Sequence, residues 1–480
     1  MMRKRSSLIP LLALSLAACA VGPDYKRPAI DTPAAFKEAP QGWKPAEPQD
    51  AQAREKWWEV FGDSELNGLV ERVAGANQTL REALANYNRA QALARQARSD
   101  YFPTLSGGAS TSRGSTSNGI GNGGAVTVDA VSLSAAWEPD LWGRVRRNVE
   151  SENATVAASR ADLESTRLSL QAQLVQNYFQ LRIAEAQRAL FDEAVQAYTR
   201  SLELTRNRYT QGVVTRADVV QAQAQLASAQ AQYTEADIAR AQLEHAIATL
   251  VGIAPSALTI APQPALARTI TLPSVPGLLP SQLLERRPDI AGAERRVAAA
   301  NAQIGVAQAA WFPVLDLSGS LGYRSTGWAN LISAPNRLWS LGASLAETIF
   351  DGGRRSATVD AALASYDASV ANYRQTVLTA FQEVEDNLAT LRVLADEADY
   401  QREAVRAARE SLELTTNQYK AGTVSYLNVI TAQTTLLSNQ QSELNLRSRQ
   451  LTASAVLIRA LGGGWQAQTL AQGDTGPAHQ

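Results

Sequence analysis

Residues 201–223 read SLELTRNRYTQGVVTRADVVQAQ, and residues 411–433 read SLELTTNQYKAGTVSYLNVITAQ, with 12 of 23 positions identical at an offset of 210. The same offset aligns Tyr101-Phe102-Pro103-Thr104-Leu105-Ser106 with Trp311-Phe312-Pro313-Val314-Leu315-Asp316, and the run at 77–100 with 287–310. Glu138 and Gly143 meet Glu347 and Gly352 after a slip of one residue. Solenoid repeats recur every 20–50 residues or so, far short of this spacing. The chain is therefore a tandem duplication of one large unit, and its fold must use that unit twice.

Each copy carries the same series of patterns. A helix of about 25 residues ends at Phe-Pro, and two short alternating segments follow, joined by a Gly/Ser-rich loop. A very long helix then runs to a turn at Gly212 or Gly422, and another long helix returns. Leu315, Leu317, Gly319, Leu321 and Tyr323 alternate with Asp316, Ser318, Ser320, Gly322 and Arg324. Trp339, Leu341, Ala343 and Leu345 repeat the pattern, as do Val131, Leu133, Ala135 and Trp137 in the first copy. Residues 112–124, SRGSTSNGIGNGG, read as a surface loop. Strands of about 10 residues are long enough to cross a bilayer at a tilt.

The helices are unusually long. Residues 145–210 contain neither proline nor glycine; one helix over that span would reach about 100 Å. Ile430, Leu437, Leu444, Leu451 and Ile458 fall seven apart. Leu226, Ala229, Tyr233, Ala236, Leu243, Ile247 and Leu250 keep a/d spacing, interrupted by Arg240. A seven-residue apolar period implies left-handed supercoiling against neighbouring helices.

The formal net charge of −1 leaves no basic face for nucleic acid. No later segment has 18 consecutive apolar residues, so any crossing of a membrane must use a closed β-barrel, which leaves no open sheet edge in lipid. Four strands cannot close, because single-chain barrels need about eight. Three copies around one axis supply twelve strands and a closed ring.

At the N-terminus, Arg3, Lys4 and Arg5 precede the apolar stretch Leu8–Ala18 and then Cys19, the sole cysteine. Disulfides are thereby excluded. The segment Leu16-Ala17-Ala18-Cys19 resembles a bacterial lipobox. That resemblance implies cleavage before Cys19 and lipid on its sulfur and amine, with Ala20 favouring outer-membrane sorting. A single lipidated residue anchors a chain without spanning the membrane. The organisation read from the sequence is a lipoprotein signal peptide at 1–18, an extended segment with lipidated Cys19 at 19–56, and a first repeat at 57–253. A proline-rich connector at 254–280, a second repeat at 281–461 and a disordered tail at 462–480 follow.

CAVGPDYKRP (19–28), WWEVFGDSELNGLV (57–70), WEPDLWGR (137–144), RRPDIAGAERRVAAANAQIGVAQAAWFP (286–313) and YKAGTVSYLNV (419–429) occur in this order along nearly the whole mature chain. Together they resemble the TolC-like outer-membrane factor family, in its lipoprotein branch serving resistance-nodulation-division efflux pumps. The resemblance implies an α+β membrane protein: a trimeric, 12-stranded transmembrane β-barrel continued by a long α-helical coiled-coil barrel. It implies an exit duct for toxic small molecules, working with a periplasmic adaptor and an inner-membrane pump. A duct for a type I secretion system and a structural envelope lipoprotein without a pore are the alternatives.

No catalytic constellation is evident, and neither a cofactor nor a metal is expected. His245 lies within a helix and His479 in the tail. Asp351-Gly352-Gly353-Arg354-Arg355 lacks the spacing and lysine of a phosphate loop and reads as a strand-to-helix turn. Glu138-Pro139-Asp140 likewise reads as a turn. By resemblance, the helical tips close to an aperture at which Asp218 holds an acidic position, matched by Asn428 in the second hairpin. Thr431 stands where relatives usually carry Asp. Neutral Asn428 and Thr431 imply weak cation preference. Asp218 reads equally as a first-turn helix charge favoured by the helix dipole. Arg216 and Tyr426 are candidates for bonds that hold the tip shut. The adaptor-facing tips are Thr210, Gln211, Gly212, Val213 and Thr215, with Lys420, Ala421, Gly422, Thr423 and Ser425.

Overall fold

A computed structural model describes residues 20–33, 35–38, 56–115, 125–270, 272 and 286–463. The expected lipidation at Cys19, and His479, lie outside the described residues. In chain order the main elements are α1 (Ser64–Ala76), α2 (Gln78–Ser99), β1 (Thr104–Ser115), β2 (Ala125–Trp137), α3 (Arg144–Thr210) and α4 (Arg216–Leu250). The second half supplies α5 (Pro288–Ala309), β3 (Val314–Ser325), β4 (Arg337–Ala346), α6 (Arg354–Ala421) and α7 (Tyr426–Ala460). The duplicated order read from the sequence is thus realised in the fold. The glycine-rich run expected to be loop from residue 112 is strand through Ser115, because Arg113 and Ser115 still pair with Thr127 and Ala125.

Two compact units emerge, each discontinuous in sequence. The first comprises Met1–Ala29, Asn86–Ser159 and Gly292–Arg374; the second comprises Ile30–Ala85, Arg160–Ala291 and Gln375–Gln480. Each therefore draws on both repeats.

The first unit contains one antiparallel sheet of order β1-β2-β3-β4. Its long helices α2, α3, α5 and α6 all join the sheet at one end; the other, hairpin end carries the β3–β4 connection, with helical turns at Trp328–Asn330 and Ala334–Asn336. The two turns that looked acidic but not catalytic turn out to be helix caps. Asp140 accepts the Val145 and Arg146 amides at 3.0 and 2.8 Å, while Glu138 takes Arg144 at 3.0 and 2.8 Å. Asp351 accepts the Gly353 and Arg355 amides at 3.0 and 3.1 Å at the head of α6. Carboxylates at these N-termini satisfy orphan N–H groups and face the positive end of the helix dipole. With no proline or glycine to interrupt them, α3 and α6 then run for 67 and 68 residues.

The stretch following Cys19 is threaded tightly into the same unit. The Val21 amide donates to the Trp142 carbonyl at 3.0 Å. Buried Arg147 donates to the carbonyls of Val21 and Gly22 at 3.2 and 3.1 Å and to Asp24 at 2.8 Å. Asn301 donates to the Pro23 carbonyl at 2.9 Å. Gly22 has φ +102°, and a Cβ there would lie 2.4 Å from the Gly305 Cα. Backbone meets backbone, so only glycine fits on the strap side.

In the second unit, residues 57–76, for which the sequence patterns gave no element, form a helical turn at Trp57–Phe61 and then α1. Trp57, Trp58, Phe61, Leu66, Val70 and Val73 pack with Leu174, Tyr178, Phe179, Ile247 and Leu451 in the main core. The seven-residue seam of α7 faces inward along its length, with Ile430, Leu437, Leu444, Leu451 and Ile458 each joining an apolar cluster. The break in the α4 seam has a role. Arg240 donates to Glu185 at 3.2 Å, to Glu244 at 3.1 Å and to the Ile260 carbonyl at 2.6 Å. Arg182, 0% exposed, joins the same group through Glu185 and the Ala261 carbonyl, both at 2.8 Å, and through Glu65 at 2.5 Å. The connector thereby folds back onto the helices, with Ile260, Ala267 and Ile270 buried. Gly462 and Gly463, expected to begin the disordered tail, instead close α7, donating to the carbonyls of Arg459 and Ile458 at 2.9 and 3.0 Å. Residues 464–480 lie outside the described residues.

Three substitutions test this packing. Gly22→Ala should lower stability by about 1–3 kcal/mol through overpacking and expose residues near 20–25 to limited proteolysis. Gly68→Ala, in open space on α1, should be neutral or stabilising. Arg182→Leu strips one partner from buried Glu185 and should cost about 3 kcal/mol, read as a lower denaturation midpoint in detergent.

Candidate functional site

The sheet has two chemically distinct faces, and its register reads them row by row. On one face, Leu105, Ala135, Gly319 and Leu341 form a row, followed by Gly107, Leu133, Leu321 and Trp339, then Ala109, Val131, Tyr323 and Arg337. Trp137, Leu317 and Ala343, then Leu315 and Leu345, continue the band toward the helix end. Leu341 is 83% exposed and Trp339 71%. On the other face a row of four serines, Ser106, Ser134, Ser320 and Ser340, crosses all strands, with Ser320 and Ser340 hydroxyls 2.8 Å apart. Neighbouring rows on that face add Gly108, Ser132, Gly322 and Leu338, and Thr104, Ala136, Ser318 and Gly342, so Leu338 is the one large apolar side chain among these three rows. An exposed apolar outer face with a small, polar inner face is the pattern of a barrel wall in lipid.

Aromatic rings flank the band at both ends. Trp142 stacks on Phe312 with centroids 4.9 Å apart and donates to the Pro313 carbonyl at 2.7 Å. Trp137 donates to the Tyr101 carbonyl at 3.1 Å, and the Arg355 guanidinium lies 4.7 Å over Trp311. Tyr323 and Trp339 stand toward the hairpin end. Amphipathic rings at two levels mark the two membrane–water interfaces. No described helix is long and apolar enough to cross a membrane.

The second candidate surface lies at the hairpin tips. Both hairpins turn the same way. Gly212, at φ +74°, donates to the Tyr209 carbonyl at 2.9 Å, and Val213 donates to the Arg208 carbonyl at 2.9 Å. Gly422, at φ +79°, donates to Tyr419 at 3.0 Å, and Thr423 donates to Gln418 at 3.1 Å. This pair of bonds is a Schellman cap, which demands a left-handed residue. Beneath the turns, Leu202, Ala222, Tyr419, Tyr426 and Val429 form a shared apolar cluster.

The structure distributes the expected tip residues unevenly. Thr210, Gln211, Gly212, Val213, Thr215, Lys420, Ala421, Gly422, Thr423 and Ser425 are all exposed. Asp218 closes a capping box: its carboxylate accepts from the Thr215 amide at 2.9 Å and the Thr215 hydroxyl at 2.8 Å. Asn428, Thr431 and Arg216 are exposed, and the Thr431 hydroxyl donates to the Leu427 carbonyl at 3.0 Å. Tyr426, the other candidate for holding the tip shut, opens α7. It is buried against Tyr419, with ring centroids 5.4 Å apart, and burial pushes its hydroxyl pKa up. Gln433–Ser201 and Gln225–Thr434 hydrogen bonds, each 3.3 Å, cross between the hairpins, and at the tip the tie is Arg208. Its guanidinium donates to the Tyr419 and Lys420 carbonyls and lies 4.6 Å over the Tyr419 ring. Its counterpart in the second hairpin is Gln418. This charge difference within an otherwise matched phrase was the available signal.

A family profile described as outer membrane efflux protein matches residues 69–253 and 279–463. The probable efflux pump outer membrane protein TtgC of Pseudomonas putida is 33% identical over 474 residues, covering 98% of this chain and 97% of the relative. The cation efflux system protein CusC of Escherichia coli is 30% identical over 463 residues, covering 96% and 99%. Among solved structures, the outer-membrane channel OprN superposes with a TM-score of 0.85 at 32% identity, covering 93% of this chain and 100% of that one. The Campylobacter jejuni CmeC outer membrane channel gives 0.87 at 25% identity, covering 94% and 96%.

Removing the Arg208 link should loosen the tip selectively. Arg208→Ala is expected to speed amide hydrogen exchange across 205–215 and 416–426 while leaving the Arg182 region unchanged. Asp218→Ala should destabilise the head of α4 by about 1 kcal/mol through loss of the cap, visible as faster exchange confined to 216–222.

Proposed function

Because this chain belongs to the outer membrane efflux protein family, we propose that it is the outer-membrane channel of a tripartite efflux pump, a passive trimeric exit duct for toxic small molecules. The observation that carries this reading is the sheet. Its four strands present an apolar face bounded by aromatic rings, a serine-lined opposite face and two unpaired edges. Three protomers joined edge to edge around one axis make a closed wall of twelve strands, which is how a sheet survives in hydrocarbon. The serine rows then line the lumen, where hydroxyls let polar solutes exchange hydrogen bonds with the wall.

The protein lies in the outer membrane and extends into the periplasm. There the exposed hairpin tips meet a periplasmic adaptor, and an inner-membrane pump of the resistance-nodulation-division type supplies the driving force. A lipid on Cys19 adds an anchor beside the wall. The chain does no chemistry of its own: the pump selects and the duct conducts. Asp218 supplies the acidic charge at the periplasmic aperture, flanked by Arg216 and by neutral Asn428 and Thr431. With one acidic position per protomer, cation preference is weak.

Reconstitution in planar bilayers tests the reading. Purified protein should give discrete conductance steps and a trimeric mass in detergent; a stable monomer without conductance would overturn it. Reversal potentials under a salt gradient should shift toward anions in Asp218→Ala, and an unchanged potential would remove Asp218 from the aperture. Deleting the chain from its host should raise sensitivity across a compound panel.

A further inference from the structure

The outward face of the sheet is apolar until its hairpin end, where it carries two arginines. Arg337 opens β4 in the row of Ala109, Val131 and Tyr323, one row beyond Trp339. Arg113 lies on β1, two rows further toward the hairpin end, paired with Thr127. Both side chains are exposed, and neither guanidinium has a hydrogen-bond or ion-pair partner among the described residues. The row between holds Thr111, Asp129 and Ser325. Asp129 is 1% exposed and its Oδ1 accepts no hydrogen bond among the described residues; it is the one carboxylate on this face between the two arginine rows. Arg324 belongs to the opposite, serine-bearing face and takes no part.

Two unpaired guanidiniums on a lipid-facing surface, Arg337 in the Tyr323 row and Arg113 two rows beyond it, stand at headgroup depth. The long helices α2, α3, α5 and α6 leave the sheet at the other end, toward the periplasm, so this is the outer leaflet. The headgroups there are phosphorylated glycolipids. We propose that Arg113 and Arg337 form a binding site for the phosphates of the outer-leaflet glycolipid, lipid A. The site is completed between protomers, because β1 and β4 are the two edges of the sheet and edge-to-edge assembly sets β4 of one protomer beside β1 of the next. Arginine fits such a site well. Its planar fork donates two parallel bonds to phosphate oxygens, and its stem lies along apolar surface while the head reaches the polar layer. Thr111 and Ser325 add hydroxyl donors in the intervening row. The proposal rests on the trimeric barrel reading, and the test scores the two separately.

Full-length trimer would be reconstituted into nanodiscs of neutral phosphatidylcholine doped with one probe lipid: bisphosphorylated lipid A, enzymatically dephosphorylated lipid A, or phosphatidylglycerol. Native mass spectrometry reads both the trimer and the lipid it retains. Bisphosphorylated lipid A should be retained about tenfold over the dephosphorylated form, a margin of about 1.4 kcal/mol. The double substitution Arg113→Gln and Arg337→Gln should erase that margin, and Arg113→Lys with Arg337→Lys should restore part of it. Equal retention of both lipid A forms by the wild-type trimer would overturn the proposal without any variant. Equal retention of phosphatidylglycerol would also overturn it, leaving only generic anion attraction. Loss of the trimer mass in the wild type would instead count against the barrel.

Discussion

The structure depends on one unmet demand for hydrogen bonds. β1 and β4 each pair on a single side, and their free N–H and C=O groups sit beside a face made of Leu105, Leu341 and Leu345. Water could satisfy those edges, but the apolar face requires lipid, and lipid offers no hydrogen bonds. The two requirements are compatible only if another copy of the chain supplies the missing partner strand. Assembly is therefore a condition for the wall to exist in the membrane.

The remaining features serve that wall. Asp140 and Asp351 cap α3 and α6 where they leave the sheet, each accepting two backbone amides at its strand-to-helix corner. Arg147 and the Gly22–Gly305 approach pin the segment that follows Cys19 within the same unit as the sheet. In the second unit, buried Arg182 and Glu185 and the partly exposed Arg240, Glu244 and Glu65 form an ionic cluster. Burying charge is costly, and each member is tolerable only because its partners are present. Such a cluster holds the connector, α1, α3 and α4 in one arrangement, a specificity that a purely apolar interface of alanines and leucines would define less sharply.

The tips illustrate how duplication and divergence combine. Both hairpins retain the glycine, the Schellman bonds and the tyrosine seven residues before the second helix, because the reversal has the same geometry twice. They differ where the two copies touch each other. A single guanidinium from the first hairpin serves the second, and Gln418 stands at the equivalent place. The shared phrase holds the turn, and the divergent residue holds the pair together.

Periodicity was legible in the sequence because it is a local property of the chain. The two-residue alternation placed Leu315–Tyr323 and Val131–Trp137 on one face, the seven-residue seam named the inward side of α7, and glycines marked both reversals. The count of four strands with no spanning helix already required partners. What the sequence could not reveal was pairing at a distance. The depth of Gly22 against Gly305, the partners of Arg182, the burial of Tyr426 and the reach of Arg208 to Tyr419 all join residues far apart in the chain. Asp218 shows the boundary most clearly: its place at the head of a helix was readable, but the closed box with Thr215 is a matter of side-chain geometry. Patterns along the chain decide which face is wet and which is dry; only the folded backbone decides which charges meet.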